Sequence, residues 1–153
     1  MNHGINGVVQ GVIVGNLLHV IPILDTTIKI NMANPFRDQE KFMRACDQSV
    51  EGFNAEQYAM YLKLIDEETG ELHQAVLAND SVEQLDALID ILVVTIGAIH
   101  SAGFNAEGAW KEVMSTNFAK IGEDGKVRKR EDGKVLKPVG WTPPNLTPFI
   151  KGN

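Results

Sequence analysis

Two groups of carboxylates stand near the middle of the chain, Glu67, Glu68 and Glu71 first, then Glu83, Asp86 and Asp90. At about 100° of rotation per helical residue, Glu67 and Glu71 lie about 40° apart, and Glu68 and Glu71 about 60° apart. One helix face therefore presents three carboxylates within a turn. The second group, spaced by three and four residues, also shares a face. A solvated helix face is the ordinary reading of Glu67, Glu68 and Glu71 taken alone. Asp90 reads differently, because it lies among Leu88, Ile89, Ile91 and Leu92. A buried carboxylate without a partner shifts its pKa or acquires a cation. The helix that carries Asp90 has no Lys or Arg, and the preceding one has only Lys63. Converging oxygen ligands without basic partners suit Mg²⁺, or Mn²⁺ in its place. The chemistry that follows is metal-assisted attack of water on a phosphoryl group.

Four helical segments position these groups. Asn34 followed by Pro35 is a helix start, and Phe36, Phe42, Met43 and Cys46 mark a helix to about Ser49, broken by Gly52. Asn54 with Gln57 three residues on opens a second helix, which ends near Asn79. Ser81 with Gln84 is a capping-box signature for a third, running to about Ala102 before Gly103. Asn105 opens a fourth, with Trp110, Val113, Met114 and Phe118 on its apolar side, ending by Gly122. The short link at Asn79 and Asp80 makes helices two and three an antiparallel hairpin, so that Glu68 and Glu71 fall opposite Asp86 and Asp90. From Leu88 to Ile99 the third helix is apolar almost all round, and a helix of that kind must be covered on most sides. Four helices cannot supply that cover, so a second copy of the chain is expected to.

The expected organisation is an apolar extension over residues 1–31, a helical domain over 32–122 and an extended basic, proline-containing tail over 123–153. Met1 to Leu24 contains no Asp, Glu, Lys or Arg, but several polar residues, Pro22 and four glycines argue against a membrane span. Strands over 7–14 and 26–30 are an alternative reading of this segment, and Met32 would serve as a start, because the helical pattern begins just after it. In the tail, Asp124-Gly125 and Asp132-Gly133 are turn dipeptides, so a short irregular or hairpin form is expected. The net charge of −6 argues against a nucleic-acid face and an anionic membrane partner. The single cysteine, Cys46, excludes an internal disulfide and a zinc cluster and fits a cytoplasmic chain.

Glu67-Glu68-Thr69-Gly70-Glu71 matches the E-E-x-x-E motif of the all-α nucleoside triphosphate pyrophosphohydrolases, and Asp86-Ala87-Leu88-Ile89-Asp90 resembles the acidic motif on their next helix. Thr116-Asn117-Phe118-Ala119-Lys120 and Gly133-Lys134-Val135-Leu136-Lys137-Pro138 are similar to a MazG-like subgroup. The resemblance covers about Gln39 to Pro144. It implies a four-helix MazG-like bundle, dimeric and intertwined or of higher order. It implies Mg²⁺ ligands at Glu68, Glu71 and Asp90, with Glu67 binding a second ion or positioning water, and Asn117 and Lys120 reaching the substrate phosphates. Many members carry Glu where this chain has Ala87, and either Asp86 or Glu83 could replace it from the neighbouring turn.

The expected activity is cleavage of a nucleoside triphosphate between the α and β phosphates, giving monophosphate and pyrophosphate. A catalytically weak nucleotide-binding or partner-binding dimer and a phosphoribosyl-ATP pyrophosphohydrolase are the alternatives. The sequence does not name the base or sugar.

Overall fold

The computed structural model describes residues 33–150, and in that range the chain is all-α. Four helices follow one another: α1 (Pro35–Ala45), α2 (Ala55–Ala78), α3 (Ser81–Ser101) and α4 (Ala106–Phe118); a 3₁₀ turn at Thr147–Phe149 closes the described part. The proposed strands over 7–14 and 26–30 lie outside the described residues.

Each helix begins where a side chain satisfies the free N–H groups of its first turn. Asn34 Oδ1 accepts from the backbone of Phe36 and Arg37, with Pro35 preset for the first helical position. Asn54 Oδ1 accepts from Gln57 N and Asn105 Oδ1 from Gly108 N. The start of α3 differs from the expected capping box. Asp80 is the cap, its carboxylate accepting from Val82 N and Glu83 N, and Ser81 is the first helical residue. A carboxylate also complements the positive end of the helix dipole better than a hydroxyl does.

Asn79 adopts a left-handed conformation at the end of α2 (φ 55°) and returns its N–H to Ala75 O and Val76 O. Only Asn79 and Asp80 then separate α2 from α3, so the two helices fold back as an antiparallel hairpin. This is the most extensive packing in the fold, and α1 lies against α3. The centre is formed by Met43, Tyr61, Val94 and Ala98, with Val50, Tyr58, Leu64 and Ile65 packed around them. Gln57 locks the far end of the hairpin: its amide accepts from Ser49 N and donates to Ser49 O and to Ser101 Oγ. Ser101 is thus a buried structural hydroxyl, hydrogen-bonded also to Gly97 O.

The cover expected for α3 is not supplied by the described residues of one chain. Its C-terminal half is packed, with Val94, Ile96, Gly97 and Ala98 buried. Its N-terminal half exposes Leu85, Leu88, Ile89 and Leu92, at 63%, 52%, 51% and 44% of their full surface. Trp110, expected in the core, is also exposed, with its ring tilted against Phe36 at 6.0 Å. No single helix among the described residues is long and apolar enough to cross a membrane.

After α4 the chain makes two turns, with isolated antiparallel bridges between Ile121 and Val127 and between Lys129 and Val135. Gly125 and Gly133 sit at these turns with φ of 74° and 82°, values that favour glycine. Trp141 then docks on α4, its indole Nε1 donating to Thr116 O at 2.7 Å.

Candidate active site

The hairpin brings the two acidic faces together. Glu67, Glu68 and Glu71 lie in the middle of α2, and Asp86 and Asp90 in the first half of α3. Glu68 is the focus. Its Oε2 is shielded from solvent and has no hydrogen-bond partner. Its carboxyl is held above the usual carboxylate range, first by burial, then by the negative charges of Glu71, Asp90, Glu67 and Asp86. The same four residues were singled out by spacing, and here they are grouped by the field they impose on one carboxylate. The orphaned oxygen belongs to Glu68 rather than to Asp90, the residue whose apolar neighbours made it the foremost sequence candidate for burial. Leu88, Ile89 and Leu92 are exposed in the single chain, so Asp90 is only partly enclosed.

An open groove of about 720 Å³ runs along this end of the hairpin, lined by Glu67, Gly70, Glu71, Gln74, Asp80 and Glu83 among others. Glu83 and Asp86, the two substitutes for the acid missing at Ala87, therefore take different places. Glu83 lines the groove with Glu67 and Glu71, whereas Asp86 acts on Glu68. Ala87 itself is buried against the hairpin, where a carboxylate would need a partner.

The donor set fits a hard divalent cation. It is made only of oxygens, it repels itself, and no ion pair among the described residues reaches it. An unpartnered buried carboxylate oxygen is the kind of atom a cation satisfies. Among the described residues, however, no three His, Cys, Asp or Glu side chains are placed to hold an ion together. The cluster has the right chemistry, but its side chains are not drawn in to a common point.

Asn117 lies in the last turn of α4, and Lys120 just beyond its end. Lys120 Nζ donates to Asn117 Oδ1 at 2.8 Å. No hydrogen bond or ion pair among the described residues links either of them to the acidic cluster. Lys120 and Lys137 both lie over the Trp141 ring; the sequence leaves Lys137 as an ordinary solvated lysine or a phosphate contact and gives Trp141 no role. A tail tryptophan four residues after a lysine was the available signal.

A second cavity, of about 510 Å³, lies between α1 and the α3–α4 corner. Its arginines are already engaged, Arg37 with Glu107 at 2.9 Å and Arg44 with Glu40 and Glu51 at 2.9 and 3.2 Å. Among the described residues lining it, neither arginine is free to meet a substrate anion. Unbalanced charge is instead found on the acidic hairpin.

The family model for phosphoribosyl-ATP pyrophosphohydrolase matches residues 37–117, from α1 to the last turn of α4. The chain belongs to this family. Comparison with curated proteins gave no match. Membership in the phosphoribosyl-ATP pyrophosphohydrolase family places the chain in the MazG-like nucleoside triphosphate pyrophosphohydrolase superfamily and indicates a pyrophosphohydrolase. The match spans both acidic faces and reaches Asn117, stopping before Lys120 and the tail.

Proposed function

We propose that the chain is a Mg²⁺-dependent pyrophosphohydrolase that adds water across the α–β anhydride of a nucleoside triphosphate, releasing monophosphate and pyrophosphate. The observation that carries this reading is the unpartnered, solvent-shielded Glu68 Oε2, on a carboxylate that feels the charges of Glu71, Asp90, Glu67 and Asp86. Family membership supplies the reaction class.

Glu68, Glu71 and Asp90 are the proposed ligands, with Asp86 taking the part of the acid absent at Ala87, because its charge already reaches Glu68. Bound Mg²⁺ or Mn²⁺ would neutralise phosphate oxygens and acidify the attacking water. Glu67, exposed at the edge of the cluster and lining the groove, positions that water and receives its proton. Asn117 and Lys120 hold the phosphates and offset the charge that develops on them.

The two halves of this site lie on different parts of one chain, and a homodimer unites them. The uncovered stripe Leu85, Leu88, Ile89 and Leu92 flanks Asp86 and Asp90 on α3. Burying apolar surface is worth about 25 cal/mol per Å², and a contiguous exposed stripe of this kind marks an interaction surface. A twofold partner laid on it would enclose Asp90 and bring α4 of one subunit towards the acids of the other. Enclosure also supplies what would draw the carboxylates in, since a cation is held more tightly where water is excluded.

A second reading is a nucleotide-binding dimer with weak turnover. Ala87 favours it, together with the absence, among the described residues, of three side chains already placed for an ion. Phosphoribosyl-ATP as the substrate is a third reading, which the family description names. Pyrophosphate release with Mg²⁺ across ribo- and deoxyribonucleoside triphosphates and phosphoribosyl-ATP separates the three. The proposal expects release from triphosphates. Binding without release selects the second reading, and release from phosphoribosyl-ATP alone selects the third.

A further inference from the structure

The tail after α4 carries two arginines that its own turns neutralise: Arg128 pairs with Asp124 at 3.0 Å, and Arg130 with Asp132. Two lysines are treated differently. Lys120 Nζ lies 5.0 Å from the centre of the Trp141 ring, and Lys137 Nζ lies 4.4 Å from the same point. Neither has a carboxylate partner among the described residues. The two ammonium groups are therefore no farther apart than those two distances laid end to end, a span comparable to a triphosphate chain.

The indole is fixed by more than these contacts. Its Nε1 donates to Thr116 O at 2.7 Å, which sets the ring beside the last turn of α4, one residue before Asn117. Lys120 is oriented by Asn117 Oδ1 at 2.8 Å. The ring face attracts each cation but does not cancel its charge. Two un-neutralised ammonium groups held on one anchored ring, in a chain of net charge −6, form a local cationic platform. Its complement is an anion with charge distributed along its length.

We propose that Lys137 and Trp141 of the tail complete a polyphosphate-binding site with Asn117 and Lys120, Lys137 contacting phosphate oxygens and Trp141 acting as the positioning residue for both ammonium groups. This deepens the hydrolase reading and rests on it for the identity of the substrate. It also gives the tail, which lies beyond the family match, a part in binding.

Calorimetric titration of the full chain with inorganic tripolyphosphate, without divalent ions, tests the site apart from turnover. A charge-assisted contact is worth about a tenfold change in affinity. Lys137→Ala should weaken tripolyphosphate by about that factor. Trp141→Leu should do the same, and Trp141→Phe, which keeps a ring face but loses the Nε1 bond to Thr116 O, should fall between Trp141→Leu and the unmodified chain. Lys129→Ala removes the same charge from the tail without touching the ring and should leave affinity unchanged. Equal weakening by Lys129→Ala and Lys137→Ala, or no binding by the unmodified chain, overturns the site. In nucleotide hydrolysis Lys137→Ala should raise KM with kcat largely kept. A chain that binds tripolyphosphate through Lys137 but hydrolyses nothing keeps this site and loses the hydrolase reading. Unchanged KM in an active Lys137→Ala chain keeps the hydrolase reading and loses this site.

Discussion

The ring of Tyr61 on α2 lies against Gly97 on α3 so closely that a Cβ at position 97 would collide with it. The contact brings α2 and α3 together in the core and helps set the spacing at which the acidic faces meet. Tyr61 is held in turn by its hydroxyl, which donates to Gln48 Oε1 at 2.7 Å. Gly97→Ala should therefore destabilise the fold, by about 1–3 kcal/mol, the usual effect of forcing extra volume into a packed core. Urea unfolding followed by circular dichroism measures this. An unchanged midpoint would show that the hairpin opens without cost.

Glu68→Gln should stabilise the metal-free chain at neutral pH. It removes one charge from a cluster in which every neighbour repels it, and an amide offers a donor to the adjacent carboxylates. The same change should erase the extra thermal stability that Mg²⁺ gives the unmodified protein, since a ligand stabilises only the state that binds it. Thermal melts with Mg²⁺ and with chelator compare the two. A Glu68→Gln chain that melts lower without metal would contradict the repulsive cluster.

Acid sensitivity should depend on the link between α1 and α4. Glu107 accepts from Arg37 Nε at 2.9 Å and from Asn34 Nδ2 at 3.3 Å. The Arg37 hydrogen bond is the main reason its carboxyl sits below the ordinary value of 4.5. A depressed folded value gives stability that is fully present above the ordinary value and is lost as pH falls from there through the folded value. Arg37→Ala should thus lower stability slightly at pH 7 and make no difference once Glu107 is protonated. The effect should shrink in salt, because the pair is solvent-facing. Unfolding midpoints of both proteins between pH 7 and pH 3 test this; a difference that persists at the acid end would point to a role other than charge pairing.

Assembly is tested at Leu88 and Leu92 rather than deeper in α3. Val94 is buried in the chain's own core, so a charge there would unfold the subunit itself. Leu88→Asp with Leu92→Asp places charge on a surface that is exposed in one chain and enclosed in the proposed dimer. Light scattering should show a dimer for the unmodified protein and a helical, inactive monomer for the double variant. A fully active monomer would remove the dimer from the account.

The helix starts and the hairpin were legible because local rules decide them, whereas α1 ends at Ala45 rather than near Ser49. Asn34, Asn54 and Asn105 cap as their positions imply, and the carboxylate spacing on α2 and α3 needs only helical geometry. At α3, Ser81 and Asp80 are both competent caps, and only backbone geometry selects Asp80. Burial was less legible. Asp90 looked the most enclosed acid because its neighbours in sequence are apolar, but enclosure depends on what packs across from a helix. In the single chain that place is open beside Leu88 and Leu92 and closed beside Glu68 Oε2. Trp110 was misjudged for the same reason, since apolar spacing on α4 does not say whether anything lies opposite it. Lys137 stood as a candidate phosphate contact in the sequence, but its meeting with Lys120 over the Trp141 ring was not legible, because it depends on the path of the tail, which two glycine turns set.

The central claim is that the acids on α2 and α3 form the catalytic metal site. Pyrophosphate release from nucleoside triphosphates with Mg²⁺, measured for the unmodified chain and for Glu68→Ala, Glu71→Ala and Asp90→Ala, tests it most directly. The account predicts loss of hydrolysis in each variant, with helical content unchanged by circular dichroism, because each removes a ligand from one cluster. Full activity in Asp90→Ala, folded and with Mg²⁺ present, would contradict it.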